Sequence, residues 1–310
     1  MHERAAVLVP AVYGVMFFSA LNVLPSWGGL MGRTHLDWLW PVAWLHVVPA
    51  EMGILAILIL SLLGTGAAMV VPGSRWARVA AMLGMVFFWA MNNSTGKIGH
   101  SLHVSVLLSI LLVLLPSGWN RRKASRPMQL AVSHGVAGMQ IVLLLTYTMA
   151  GLVKVGAGVV QLVAGQPSLF SLDSLSRHIA DRLLQTGATS PVGELLINYS
   201  WLGGPFMWAT VYLEFFALWA VFRPRLQVPF AIGLILFHIG SFFTMTIIFP
   251  QNCVLLGLLV AVGTGVRPTW SWRGFIEDLP GFGYLWRMFL RRNQPLPVAG
   301  ENGRSLRFPG

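Results

Sequence analysis

Apolar residues along this chain come in long unbroken runs, with polar positions gathered between them. Eight runs stand out: residues 5–24, 51–71, 76–91, 100–115, 128–153, 201–222, 228–249 and 253–266. The longer ones reach the ~20 residues a helix needs to cross hydrocarbon. The shorter ones, 100–115 and 253–266 among them, require local thinning or flanking anchors. Strands of a closed barrel would alternate polarity over ~10-residue segments, and these runs do not. The pattern predicts an all-α integral membrane protein with about eight transmembrane helices.

Two connecting segments have a texture of their own. Residues 25–50 contain HLDWLWPVAWLHVVP, a tryptophan-rich stretch with Pro41 that suits head-group level. Within 155–200, Leu172, Leu175, Ile179 and Leu183 recur at helical spacing, with Asp173, Ser174, Arg177, Asp181 and Arg182 between them. This predicts an amphipathic helix on the outer face, closed by Gly187 as its C-cap. The expected organisation is a transmembrane domain over residues 1–266 and a basic, partly disordered cytoplasmic tail over 267–310.

Composition sharpens this reading. The chain of 310 residues is 55% hydrophobic and only 10% charged, against roughly 25% charged in a soluble domain. The net charge of +11 invites a nucleic-acid partner, but the placement of the cations argues against one. With the N-terminus inside, the inner loops hold nine Lys/Arg residues and the tail seven arginines, against five on the outer side. That alternation follows the positive-inside rule and puts both termini in the cytoplasm of a multi-pass membrane protein. Tail arginines near a bilayer favour anionic head groups, so membrane lipids are expected partners and nucleic acid is not. The single cysteine, Cys253, leaves no intrachain disulfide and no Cys-rich metal site. The apolar start at Ala5 lacks a clear small-residue cleavage site and reads as a retained first helix.

Ionisable groups inside membrane spans are few and costly, which makes each a functional candidate. Lys154 closes the run at 128–153. Glu214 and His238 lie inside the runs at 201–222 and 228–249, nearer mid-membrane. His100 and His103 open the run at 100–115 and share a face. Gln140, Tyr147 and Lys154 are seven apart, so an amide, a phenol and an amine lie along one stripe with Gly151. Such a stripe should face the bundle interior. Plainer roles stay open. A lysine ending a span also snorkels to head groups, Glu214 could pair with Arg223 or Arg225, and His238 could be a hydrogen-bonded core histidine. Histidines three apart without a nearby carboxylate make a poor metal site, and no metal is expected.

Four stretches carry a resemblance: NNSTGKIGHSLHVSVLL, QIVLLLTYTMAGLVKV, LDSLSRHIADRLL, and YLEFFALWAVFRP together with FHIGSFFTMTIIFP. In this order, over roughly residues 5–265, the chain resembles the horizontally transferred transmembrane domain of the vitamin K-dependent gamma-carboxylase family. It looks like a bacterial-type member without the large extramembrane portion, set in the plasma membrane. Val153 and Lys154 stand where the family has paired lysines, and Gly99 stands where asparagine precedes the histidine. The resemblance implies a lyase-type or quinol-epoxidising enzyme with an outward-facing cavity. Lys154 would act as the base, with His100 at the quinone site. Tyr147, Gln140 and His103 would bind the cofactor, reduced vitamin K or another quinol. Glu214 and His238 would be polar supports in the core. The modified substrate would be a lipid or secreted peptide. The competing expectation is a non-catalytic membrane helper of toxin-maturation type that binds a peptide or lipid partner.

Overall fold

The computed structural model describes residues 2–22, 36–94, 99–100, 102–120, 124–247, 249–263 and 270–292. Arg33, Lys97, the 121–123 basic cluster and the tail beyond 292 lie outside the described residues, as does the whole stretch 23–35. Among those described there are helices and turns and no strands. The α-helices are α1 (His2–Leu21), α2 (Ala50–Val70), α3 (Arg75–Asn93), α4 (His103–Val113), α5 (Arg126–Val163), α6 (Ser174–Thr186), α7 (Pro191–Asn198), α8 (Gly203–Phe215), α9 (Pro224–Met245) and α10 (Pro250–Leu255). A separate unit, spanning residues 268–310, holds α11 (Trp272–Asp278) and α12 (Phe282–Arg292).

Among the described residues, four helices are long and apolar enough to cross a membrane: Glu3–Leu21, Ala50–Val70, Arg126–Val163 and Pro224–Met245. The expected count of about eight transmembrane helices is therefore corrected. Helix α3 is of similar length but begins with two arginines in four residues. Helix α4 has only 11 residues. The run at 201–222 is broken, because α8 stops at Phe215 and the chain continues as a 3₁₀-helix over Ala217–Phe222. The run at 253–266 becomes α10 followed by a π-helix over Leu256–Val262. Apolar composition makes a segment buriable in lipid or protein alike, and it does not set where the helix bends.

Small residues set the helix spacing. A Cβ built on Gly64 of α2 would lie 2.7 Å from the Ala80 backbone, and one on Gly84 of α3 would lie 2.7 Å from the Ser61 Cα. The Ser61 hydroxyl donates to Ile57 O at 2.7 Å and across the contact to Gly84 O at 2.9 Å. Within an apolar bundle, this close approach supplies the van der Waals and hydrogen-bond energy that hydrophobic burial does not. Helix α1 packs on α2, α3 on α4, α4 on α5, and α5 on α8.

Helix α5 extends to Val163, ten residues past the expected end at 153, for 38 residues in all. At 1.5 Å per residue it is about 57 Å long, well beyond a hydrocarbon core. No proline interrupts 154–163, and the helix stops only where Gly165 adopts φ +66°. The following loop folds back on it: Ser168 donates to Gly158 O at 2.9 Å, and Gln161 Oε1 accepts from Leu169 N at 2.9 Å. Helix α6 then forms with its C-cap at Gly187, φ +64°, and buries Ile179 completely. Of the tryptophan-rich stretch, Trp40–His46 forms a 3₁₀-helix with Trp40 exposed.

Candidate functional site

Because 3.6 residues per turn leaves a heptad stripe drifting by ~20° per seven residues, a stripe along a long helix meets several neighbours in turn. On α5 it meets three. Gln140 Nε2 donates to Leu259 O in the π-helix at 2.6 Å. The Tyr147 hydroxyl is 2.6 Å from His238 Nε2 on α9. Lys154 Nζ donates to, and forms an ion pair with, Glu214 Oε2 on α8. Gln140, Tyr147, Glu214 and His238 are all buried.

The Lys154–Glu214 pair is built by a close helix approach. Gly151, one turn before Lys154, lies directly on the backbone of Glu214 and Phe215. Glu214 sits in the last turn of α8, where a carboxylate opposes the helix dipole, so a facing ammonium offsets an otherwise unfavourable placement. The break that follows frees the Leu218 N–H, and Thr148 Oγ1 of α5 accepts it at 2.9 Å. The pair is asymmetric: the Glu214 side chain is 4% exposed, the Lys154 side chain 32%. The ammonium also lies 5.4 Å from the centroid of the Phe237 ring, a contact worth about 0.5–1 kcal/mol. Glu214 thus pairs with Lys154, where the charge pattern had offered Arg223 or Arg225.

His238 is enclosed by aromatic rings, with centroids of Tyr147, Phe237 and Phe249 at 5.7, 5.1 and 5.4 Å. Its Nδ1 is buried without a hydrogen-bond partner among the described residues. The second histidine cluster is elsewhere. His100 and His103 approach each other at 3.2 Å between their Nδ1 atoms, and His103 packs on Trp89 at 5.3 Å. Among the described residues no hydrogen bond, ion pair or ring contact joins them to the Lys154 group.

No family model, curated protein or solved structure matches the chain. The site is therefore read from its own chemistry. Lys154 and Glu214 can share one proton, either as an ion pair or as amine and carboxylic acid, and the half-open lysine can present it outward. Next to them, Tyr147 and His238 form a second, more enclosed hydrogen-bonded pair.

One neighbour escaped the sequence reading. His178, on α6, feels the Lys154 charge. Desolvation pushes its imidazole below the ordinary range; Asp181 opposes this, and the charges of Arg177 and Lys154 reinforce it. Its only sequence signal was its position on the helix already singled out as amphipathic. Arg177 beside it is committed locally, to Asp173 at 2.9 Å, Ser171 Oγ at 2.8 Å and Ser168 O at 3.1 Å.

Proposed function

We propose that this is a membrane enzyme similar to the vitamin K-dependent gamma-carboxylases, in which Lys154 takes a proton from a hydroxyl of a quinol or lipid-like substrate. The observation that carries this reading is the Lys154–Glu214 pair: a buried carboxylate holds an amine whose side chain stays one-third exposed. The residues fit a flat phenol. The exposed amine meets a hydroxyl edge, and the Phe237 ring beside it offers an aromatic face. Glu214 accepts one proton from the Lys154 ammonium, and the freed lone pair on Nζ accepts the substrate's hydroxyl proton. A reduced quinone bound there would supply the reducing equivalents for the oxygen-dependent chemistry that the resemblance implies. His100, with no described contact to Lys154, would act in this scheme from another side of the substrate. The chain would sit in a bacterial plasma membrane with both termini in the cytoplasm and act on a secreted peptide.

The experiment is turnover. Purified protein is given reduced naphthoquinone and oxygen, and epoxide is measured for the parent chain and for Lys154→Ala. Turnover lost in a folded Lys154→Ala variant upholds the reading. Absence of epoxide in both overturns it and favours the second reading, a non-catalytic membrane helper. The observation behind that alternative is that Gln140, Tyr147 and Lys154 each already have a protein partner, as a purely bundle-locking stripe would.

A further inference from the structure

Away from the Lys154 group, the turn between α2 and α3 and the turn after α4 border an open cavity of about 820 Å³. The two turns are fastened together by hydrogen bonds to three carbonyls, one of which is used twice. Pro72 O accepts from Arg78 Nη1 at 2.7 Å and from Trp119 Nε1 at 3.0 Å, and Gly118 N donates to Gly73 O at 2.9 Å. Arg78 Nη2 also donates to Leu115 O. Arg78 and Trp119 are completely buried, so the framework is rigid. The Arg78 Nε–H, also buried, has no acceptor among the described residues.

The cavity lining is two-sided. Ser74, Arg75, Ser117 and Asn120 supply donors, while Val70, Val71, Val79 and Trp76 supply apolar surface. Among the described residues that line it, none is acidic. Helix α3 begins at this wall. Ser74 caps Ala77 N at 3.3 Å, but among the described residues the N–H groups of Arg75 and Trp76 meet no acceptor. Helix α2 is membrane-length, so its end at Val70 lies at a bilayer surface. Trp76, 81% exposed, stands where interfacial indoles anchor.

The geometry points to a binding site for the phosphate of an anionic phospholipid in this cavity, with the Arg75 guanidinium and the first N–H groups of α3 on the phosphate. The valines and Trp76 border the upper acyl chains. A soluble phosphate shares the anion chemistry but has no use for that apolar border, which is why the lipid is the ligand assigned. This site is independent of the Lys154 chemistry.

The test is native mass spectrometry of the purified full chain titrated with phosphatidylglycerol or phosphatidylcholine. Phosphatidylglycerol is expected to bind preferentially. Arg75→Gln should weaken it about five-fold, the effect of one cation at a membrane surface. Arg126→Gln, which removes an exposed arginine outside the cavity, should leave it unchanged. Three results would overturn the assignment: equal binding of the two lipids, no effect of Arg75→Gln, or an equal effect of Arg126→Gln. A fourth is thermal stabilisation by inorganic phosphate matching that by phosphatidylglycerol, which would make the ligand a soluble anion.

Discussion

Gly151 of α5 and Phe215 of α8 touch backbone to backbone: a Cβ on Gly151 would stand 2.6 Å from the Phe215 Cα. This contact brings Lys154 within reach of Glu214, and it carries the first prediction. Gly151→Ala must push the helices apart, since the obstructing atoms are main chain. Overpacking of this kind costs about 1–3 kcal/mol. Thermal unfolding in detergent should show the loss, whereas Gly156→Ala, with open space around it, should be neutral or mildly stabilising.

Removing one member of the ion pair should cost more than removing both. Breaking a fully buried pair costs ~3–5 kcal/mol, and the partial exposure of Lys154 reduces that to about 1–3 kcal/mol here. Glu214→Gln and Lys154→Met should each destabilise by that order. The double variant should recover part of the loss, as read from a double-mutant cycle. Strict additivity would show that the two side chains do not interact.

Tyr147→Phe keeps the ring and deletes the hydroxyl that meets His238. It leaves Nε2 of a 5% exposed histidine unpartnered, at a cost of about 1–3 kcal/mol. His238→Phe removes both needs at once and should be tolerated better in the Tyr147→Phe background than in the parent. Equal effects in both backgrounds would argue against the pairing.

The His178 imidazole should titrate below its ordinary value of about 6.5, because desolvation and the nearby cations Arg177 and Lys154 disfavour its protonated form. The folded chain then binds this proton less tightly than the unfolded chain. The group's stabilising contribution is present above about pH 6.5 and is lost as pH falls through the folded value. Selectively labelled histidine NMR would follow it. Lys154→Met should raise the His178 value, since a cation is removed and Glu214 remains. An unchanged titration would place Lys154 out of its range.

Much of this architecture could be read without coordinates. Apolar runs free of period-two alternation specify helices, because only a helix satisfies its own backbone within the run. The heptad spacing of Gln140, Tyr147 and Lys154 was enough to put them on one stripe. Gly187 announced the end of α6, since a positive φ there suits a residue without a side chain. None of that local information says which helix lies opposite. The partners of the stripe, Leu259, His238 and Glu214, are between 60 and 119 residues away in the chain, and by sequence the mates offered for Glu214 were Arg223 and Arg225, not Lys154. The break after Phe215, the π-helix at Leu256–Val262 and the double use of the Pro72 carbonyl likewise depend on neighbours from remote segments. The chain alone determined what each helix is made of and which face is polar, because those follow from periodicity. Only the tertiary structure decided which polar groups meet, because in an apolar bundle the pairing is set by how closely glycine-bearing faces allow helices to approach.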